Sequence, residues 1–213
     1  MAFGFGFSLP NIRKAGASFI PTTLVTESWA GSGLVNGKVP TTGGGTWGVS
    51  GGVLNYGTGT AYPFSNSGTF RHSSTYQNAS FNTTVYPSAS PAGNTPVVIW
   101  ARCNTVPTID IVNGYYAKFI DTGGGDSASV RIGKMIAGAQ TDLASIFIST
   151  SALPASFQVV GSTLLAKLNG VTVLSVTDTS ITAAGTWGCQ LNSADNGNDG
   201  SSASVGPVTI KTA

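Results

Sequence analysis

The sequence predicts an all-β protein, an antiparallel β-sandwich preceded by an extended N-terminal arm. Only 8% of the 213 residues are charged, whereas 29 are glycine and 10 are proline, a composition that suits short strands joined by many turns. Strand candidates follow one another at intervals of about 8–12 residues, as an all-β sandwich requires. Apolar residues nowhere recur at helical spacing over two turns. The length is compatible with one sandwich domain and a short extension.

The segment 157–191 carries the clearest strand pattern. Apolar and small polar residues alternate along it, and the alternation is broken at Gly161-Ser162 and again at Asn169-Gly170. An Asn-Gly pair between two apolar runs predicts a type I′ hairpin turn, because that turn needs positive φ at both central positions. The segment therefore predicts a meander of antiparallel strands.

Two further strand patterns are informative. Residues 97–103 form a nearly continuous apolar run, which is typical of a central strand covered on both faces. Residues 129–136 and 143–148 alternate and are expected to pair around a turn at 138–141.

The amino-acid sequence resembles those of concanavalin A-like (laminin G-like) jelly rolls. The resemblance rests on LNGV and VTDTSITAAGTWG in the second half and, in the first half, on Glu27, Trp29, Leu34, the turn at 43–45 and Trp47. It covers about residues 23 to 213, and it implies a jelly roll whose last strand, at 208–211, pairs near the N-terminal strand. Because lectins, glycosidases and virion proteins share this scaffold, the fold alone does not define the function.

The first 21 residues form a separate region, an arm ahead of a sandwich domain at 22–213. Phe3, Phe5 and Phe7 alternate with glycine, which places three rings on one side of an extended chain. Such rings must pack on something, either as an edge strand of the same domain or as an arm docked on a neighbouring subunit. Together with Leu9 they are the expected assembly contacts. The start MAFGFGFSLP, followed by a basic pair, is similar to the N-termini of phage tail and particle proteins.

Composition argues against several classes of partner. The net charge is only +2, and Arg13-Lys14 is the only basic pair, so no basic stripe for nucleic acid is present. No apolar run approaches the ~20 residues of a membrane span, and the N-terminus lacks the pattern of a secretory signal. Cys103 and Cys189 fall in separate predicted strands and are expected to be unpaired apolar residues, with a disulfide as the less favoured alternative.

The sequence gives no catalytic constellation, and it predicts that the protein is not an enzyme. A glycosidase on this scaffold needs two carboxylates on one sheet face, and the retaining jelly-roll glucanases carry Glu-x-Asp-x-x-Glu. This chain has a single glutamate, Glu27, and its aspartates are expected in loops or turns, with Asp178 forming an Asx turn. The one histidine, His72, has no Gly-x-Ser-x-Gly elbow to serve as its partner.

Binding sites have weaker signals. The run 195–200 offers oxygen ligands, but Gly206 stands where a calcium loop needs glutamate. A solvated turn is therefore favoured, and no metal or cofactor is predicted. Trp47, Trp100 and Trp187 are expected to be core residues. Aromatic rings suit stacking on sugars, and the candidates for glycan contact are Tyr56, Tyr62, Tyr115 and Tyr116.

Two functions follow from these observations. The first is a non-enzymatic structural protein of a phage particle: a capsid decoration, fibre or tail-surface module anchored by its arm. Its location would be the virion, assembled in the host cytoplasm, and its partners would be other virion proteins and further copies of itself. The alternative is a glycan-binding module for attachment to a cell surface.

Overall fold

The structure, a computed structural model, describes residues 20–28, 45–50, 53–59, 67–90, 93–106, 109–121, 128–149, 153–192 and 203–213. The expected arm contacts Phe3, Phe5, Phe7 and Leu9 lie outside these ranges, as do Tyr62 and the run 195–200. The strands are β1 (Thr23–Glu27), β2 (Gly45–Ser50), β3 (Val53–Gly59), β4 (Ser67–Tyr76), β5 (Ala79–Tyr86), β6 (Ser88–Ser90), β7 (Gly93–Thr95), β8 (Val97–Val106), β9 (Ile109–Asp121), β10 (Ala128–Ile136), β11 (Ala139–Ile148), β12 (Leu153–Val160), β13 (Thr163–Leu168), β14 (Val171–Thr177), β15 (Gly185–Asn192), β16 (Ser204–Val205) and β17 (Val208–Thr212).

The strands form two antiparallel sheets that pack as a sandwich, which confirms the predicted fold class. The nine-stranded sheet has the order β14-β13-β12-β5-β16-β3-β2, with β17 joining β5 to β1. The six-stranded sheet has the order β11-β10-β9-β8-β15-β4, and β6 and β7 form a separate hairpin. The expected pairing of the last strand with the first is confirmed, because β17 lies against β1. Across these described ranges no helix is long and apolar enough to cross a membrane.

The core lies between the two sheets and is built by alternation along the strands. In β5, β12 and β13 every second side chain is buried, as strand geometry requires when one face meets a core. Aromatic rings from both sheets meet there: Phe157 of the nine-stranded sheet lies 6.4 Å from Trp187 of the six-stranded sheet, measured between ring centroids. Truncating one such buried ring typically costs about 3–5 kcal/mol.

Strand β8 is buried on both faces, as the apolar run predicts. Val97, Ile99 and Ala101 belong to the main core, whereas Val98 and Trp100 pack in a second cluster with Cys103, Tyr116 and Met135. Trp100 is thus buried, but on the side of the sheet that faces away from the sandwich core. Cys189 lies in the main core and Cys103 in the second cluster, and the two are not joined by a disulfide. The favoured expectation, two buried apolar residues, is confirmed.

The predicted type I′ turn is present at Asn169-Gly170, where φ is +50° and +78°. Strands β12, β13 and β14 form the expected meander. The meander prediction is wrong beyond β14, because the longer connection at 178–184 carries the chain into the other sheet as β15. The turn between β10 and β11 also comes earlier than expected, at Ala137-Gly138. An alanine at positive φ gives no turn signal in a sequence.

We predict that Gly170→Val lowers the free energy of unfolding by about 1–3 kcal/mol, because a β-branched residue is strained at positive φ. A side chain at this position would meet no atom within 4 Å, so the backbone alone sets the cost. Chemical denaturation followed by circular dichroism measures it. Thr172→Val, at an exposed position of β14, is the control and should change stability by less than about 0.5 kcal/mol. Equal stability of the two variants would contradict the turn assignment.

Candidate functional site

One face of the six-stranded sheet carries polar and aromatic side chains in place of core residues. We call it the outer face, since alternation along each strand points these side chains away from the sandwich core. Strand register places them in three rows across the sheet. The rows are Gly188, Trp100, Tyr116, Gly133 and Asp142; then Gln190, Val98, Lys118, Arg131 and Ser145; then Ile120, Ser129 and Phe147.

Two buried rings form the floor of the outer face. Trp100 and Tyr116 meet edge to face, with centroids 5.2 Å apart and planes at 63°. The Trp100 indole N–H donates to Gln190 Oε1 at 3.0 Å. A Cβ atom on Gly133 would overlap the Tyr116 ring and lie 2.6 Å from the Thr141 carbonyl oxygen, so the tyrosine occupies space that only glycine leaves free. Both rings are therefore fixed by their neighbours.

Charged groups surround the hydroxyl end of Tyr116. That hydroxyl donates to Asp142 Oδ1 at 2.6 Å, and Arg131 Nη1 donates to Asp142 Oδ2 at 3.0 Å. Burial acts to raise the pKa of Asp142, but the hydrogen bonds from Tyr116 and Arg131 outweigh it, so the pKa lies below its usual range. Lys118 Nζ lies 5.6 Å from the Tyr116 ring centroid, within the range of a cation–π contact. The Asp142 carboxylate is therefore ionised, and both of its oxygens already accept hydrogen bonds within the chain.

Two buried donors on β10 lack partners. Ser129 Oγ and Arg131 Nε are buried and have no hydrogen-bond partner in the described part of the chain. Such atoms are rare in native proteins, and each needs an explanation. Directly opposite Ser129 lies Phe147, whose side chain is 77% exposed. We call Lys118, Ser129, Arg131, Asp142 and Phe147 the polar corner. It combines an exposed ring with the partly exposed Arg131–Asp142 ion pair, two elements that suit a binding surface, whereas Ser129 Oγ and Arg131 Nε themselves are enclosed.

A second group of polar residues, most of them partly buried, surrounds the connection at 178–184. Asp178 accepts hydrogen bonds from the Tyr115 hydroxyl at 2.8 Å and from Lys134 Nζ at 2.7 Å. Its Oδ1 also accepts from the Ser180 backbone N–H at 2.8 Å, which confirms the expected Asx turn. Burial would raise the pKa of Asp178, but these bonds hold it well below its usual range. The pKa of Tyr115 is raised to about 12, mainly by burial.

Arg102 lies inside the fold and bonds to the same connection. It is 2% exposed and has φ of +50°. Its guanidinium donates to four neutral oxygens at 2.6–3.2 Å. These are the backbone carbonyl oxygens of Gln77, Gly161 and Ile181 and the side-chain Oδ1 of Asn78. Burial lowers its pKa. Because its hydrogen bonds all go to oxygens of this chain, Arg102 holds connections together and has little capacity left for a ligand.

The structure corrects part of the sequence-based site. Tyr115 and Tyr116 are 0% and 1% exposed, so neither ring can stack on a glycan. Their run in β9 alternates between two buried faces, which one strand's sequence does not reveal. Tyr56 lies in β3, opposite Trp47. The expectation that aspartates lie in loops or turns is wrong for Asp142, which is inside β11, and for Asp110 and Asp121, which belong to β9.

The polar corner itself was not predicted. Its residues come from three strands, and only the pairing register brings Ser129 beside Phe147 and Lys118 beside Arg131. The alternation of Ser129 and Arg131 with apolar residues at the start of β10 was the one available signal. Within the described residues no three His, Cys, Asp or Glu side chains are grouped so as to hold a metal ion.

Comparison with known proteins supports the fold. No family model and no curated protein matches the chain. Among solved structures, the laminarinase from Rhodothermus marinus has a TM-score of 0.63 and 11% identity over 91% of this chain and 99% of its own. The carbohydrate-binding module CBM66 from Bacillus subtilis has a TM-score of 0.59 and 14% identity over 82% and 94%. The CBM2 module of the evolved Dit of Lactobacillus casei BL23 phage J-1 has a TM-score of 0.58 and 14% identity over 90% and 96%. The chain is thus similar to these jelly-roll β-sandwiches in fold.

These matches contradict the expectation that the chain is not an enzyme. Several of the matched structures are glucanases, among them laminarinases and a lichenase. The absence of the Glu-x-Asp-x-x-Glu motif therefore does not justify that exclusion for a chain with this fold. Turnover of polysaccharides has to be measured together with binding.

We predict that Arg102→Met lowers the free energy of unfolding by about 3 kcal/mol or more, because it removes four charge-assisted hydrogen bonds and leaves the buried Ile181 carbonyl oxygen without its donor. Arg131→Met is the matched control. The Arg131–Asp142 pair is 41% and 40% exposed, and exposed ion pairs contribute about 1 kcal/mol or less. Urea denaturation of both variants measures the difference. Equal losses in the two would show that Arg102 is not the central support of these connections.

Proposed function

We propose that this chain is a glycan-binding module and that the polar corner is its binding surface. The observation that carries the proposal is the exposed ring of Phe147 on the same sheet face as the partly exposed charged side chains of Arg131 and Asp142. The similarity in fold to CBM66 and to the CBM2 module of the phage Dit, over 82% and 90% of the chain, supports it.

The corner offers the two kinds of contact by which proteins hold sugars. The Phe147 ring can stack on the apolar face of a pyranose. The side chains of Lys118 and Arg131, which are partly exposed, can bond to its substituents. Beneath them, the packed Trp100 and Tyr116 rings keep the sheet rigid, so little ordering is needed when the ligand arrives.

A glycan array probed with the full chain tests this function. We expect binding to one class of saccharide, and we expect Phe147→Ala to weaken it by about tenfold or more. Val171→Ala is the matched control, since Val171 is an apolar residue with 66% exposure on the other sheet, and it should bind as the wild type does. Binding to no class, or equal binding by both variants, would refute the proposal.

The same preparations should be assayed for release of reducing ends from each saccharide that binds. Turnover would make the bound glycan a substrate. The binding proposal concerns recognition and is compatible with either result.

We further propose that the module acts on a phage particle, attached through its N-terminal residues and accompanied by other virion proteins and further copies of itself. Two observations support this setting: the similarity to the module of the phage J-1 Dit and the alternation of Phe3, Phe5 and Phe7 with glycine.

Deletion of residues 1–20 tests the attachment. We expect the truncated chain to keep its β-rich circular dichroism spectrum, because the described strands begin at Thr23, and to lose its incorporation into particles. Replacing Phe3, Phe5 and Phe7 by alanine should have the same effect without shortening the chain. Full occupancy by either variant would show that these residues are not the anchor.

A further inference from the structure

The side of the sandwich between β11 and β14 is incompletely covered. These strands end their sheets in the order of the described strands, and their Cα atoms approach within 8 Å of each other. Ile146 lies on the core side of β11, opposite the buried Val130, yet it is 38% exposed. We call the partly covered apolar strip the seam; it consists of Leu143, Ile146 and Ile148 on β11 and Val173, Leu174 and Val176 on β14.

Strand β11 presents an unprotected edge along the seam. Among the described strands it pairs only with β10. From Ala144 to Ile148 it contains no charge and no proline, and its register with β10 is regular. Natural sheets protect exposed edges with charges, prolines or bulges, because the unpaired backbone N–H and C=O groups accept a further strand. This edge therefore suits the addition of an extended segment.

The Phe-Gly stretch at residues 3–7 matches this edge. It has five residues, as does the stretch 144–148, and neither contains a charged side chain. In an extended segment the three rings share one face and the two glycines share the other. With Phe5 opposite Ile146, the rings cover the core side of β11, and a glycine lies opposite Phe147. An aromatic ring across from a glycine in an edge strand shields the bare backbone.

We infer that residues 3–7 of one copy add a strand to β11 of a second copy. This inference rests on the proposed attachment through the N-terminal residues, and it names the surface that receives them. Strand β1, where the described strands begin, is five strand steps from β14, or roughly 24 Å. An arm at one end and a seam at the other join copies head to tail, and such contacts build rings or filaments.

The outer face stays open in this arrangement. The glycines of the added strand lie opposite the outer row of β11, so no side chain of the arm covers Phe147. The exposed Arg131–Asp142 pair lies on the neighbouring strand and on β11 itself. Arm docking and glycan binding therefore use different sides of the same edge, and one copy can do both.

Disulfide trapping between two full-length variants tests the contact. Phe5→Cys and Ile146→Cys would be mixed and oxidised, with a larger affinity tag on one of them. Opposed residues of paired strands have Cα atoms about 4.5–5.5 Å apart, which a disulfide can bridge. We expect a covalent heterodimer, and none when Val160→Cys replaces Ile146→Cys, because Val160 is equally exposed at 38% but lies in β12. The native cysteines are buried and should not react.

The other outcomes overturn the inference. A disulfide that forms only within a chain carrying both new cysteines would place the arm on its own β11. A heterodimer no more abundant than with Val160→Cys would place the arm on another surface. In both cases the loss of incorporation on deleting residues 1–20 would still support attachment, so the two proposals fail separately.

Self-association of the full chain provides the second test. Sedimentation velocity over a range of concentrations should show that Ile146→Lys weakens association by about tenfold or more, because the added strand would bury the new charge. The melting temperature should change little, since a lysine at this partly exposed position can reach water. Val160→Lys is the control and should associate as the wild type does. Equal association by the two variants, or a wild type that stays monomeric throughout, would overturn the inference.

Discussion

The guanidinium of Arg102 is the interaction on which the arrangement of this sandwich depends. It bonds to oxygens just after the end of β4, in the β12–β13 turn and within the connection at 178–184. These segments belong to both sheets or pass between them, so one side chain determines how the sheets meet at this end. Gly185 is part of the same arrangement, because a Cβ atom there would overlap the Arg102 backbone. Hydrogen bonds to a charged donor contribute about 1.5–3 kcal/mol each, and burial makes them hard to replace with water.

Local signals predicted the fold well, and long-range placement was much harder to predict. The Asn169-Gly170 turn, the doubly buried run in β8 and the Asx turn at Asp178 each depend on residues close together in the chain, and each is present. The transfer of β15 into the other sheet was missed, because it depends on bonds from Arg102 and Tyr115, which lie far away in sequence. Ala137 was missed as a turn residue because a two-residue connection can force positive φ on alanine.

The candidate site could not be predicted from the sequence for the same reason. Tyr115 and Tyr116 are of a residue type that often stacks on sugars. However, both rings are buried on their respective faces of β9, and their hydroxyls donate hydrogen bonds to Asp178 and Asp142. Phe147 gave no comparable signal, since an apolar residue in an alternating strand is usually a core residue. Its exposure becomes visible only when β11 is placed at the edge of the six-stranded sheet. The register then brings it next to Ser129.

The position of Phe147 on an edge strand has a consequence for how this protein can diversify. Among the described strands, β11 pairs only with β10, and its outer face includes residues 145 and 147. Substitutions there alter the surface that a partner meets while leaving the core cluster and the Arg102 bonds untouched. Related chains can therefore change their ligand preference through single substitutions on this edge strand. Such substitutions alter the folding stability little, and the sandwich retains its shape.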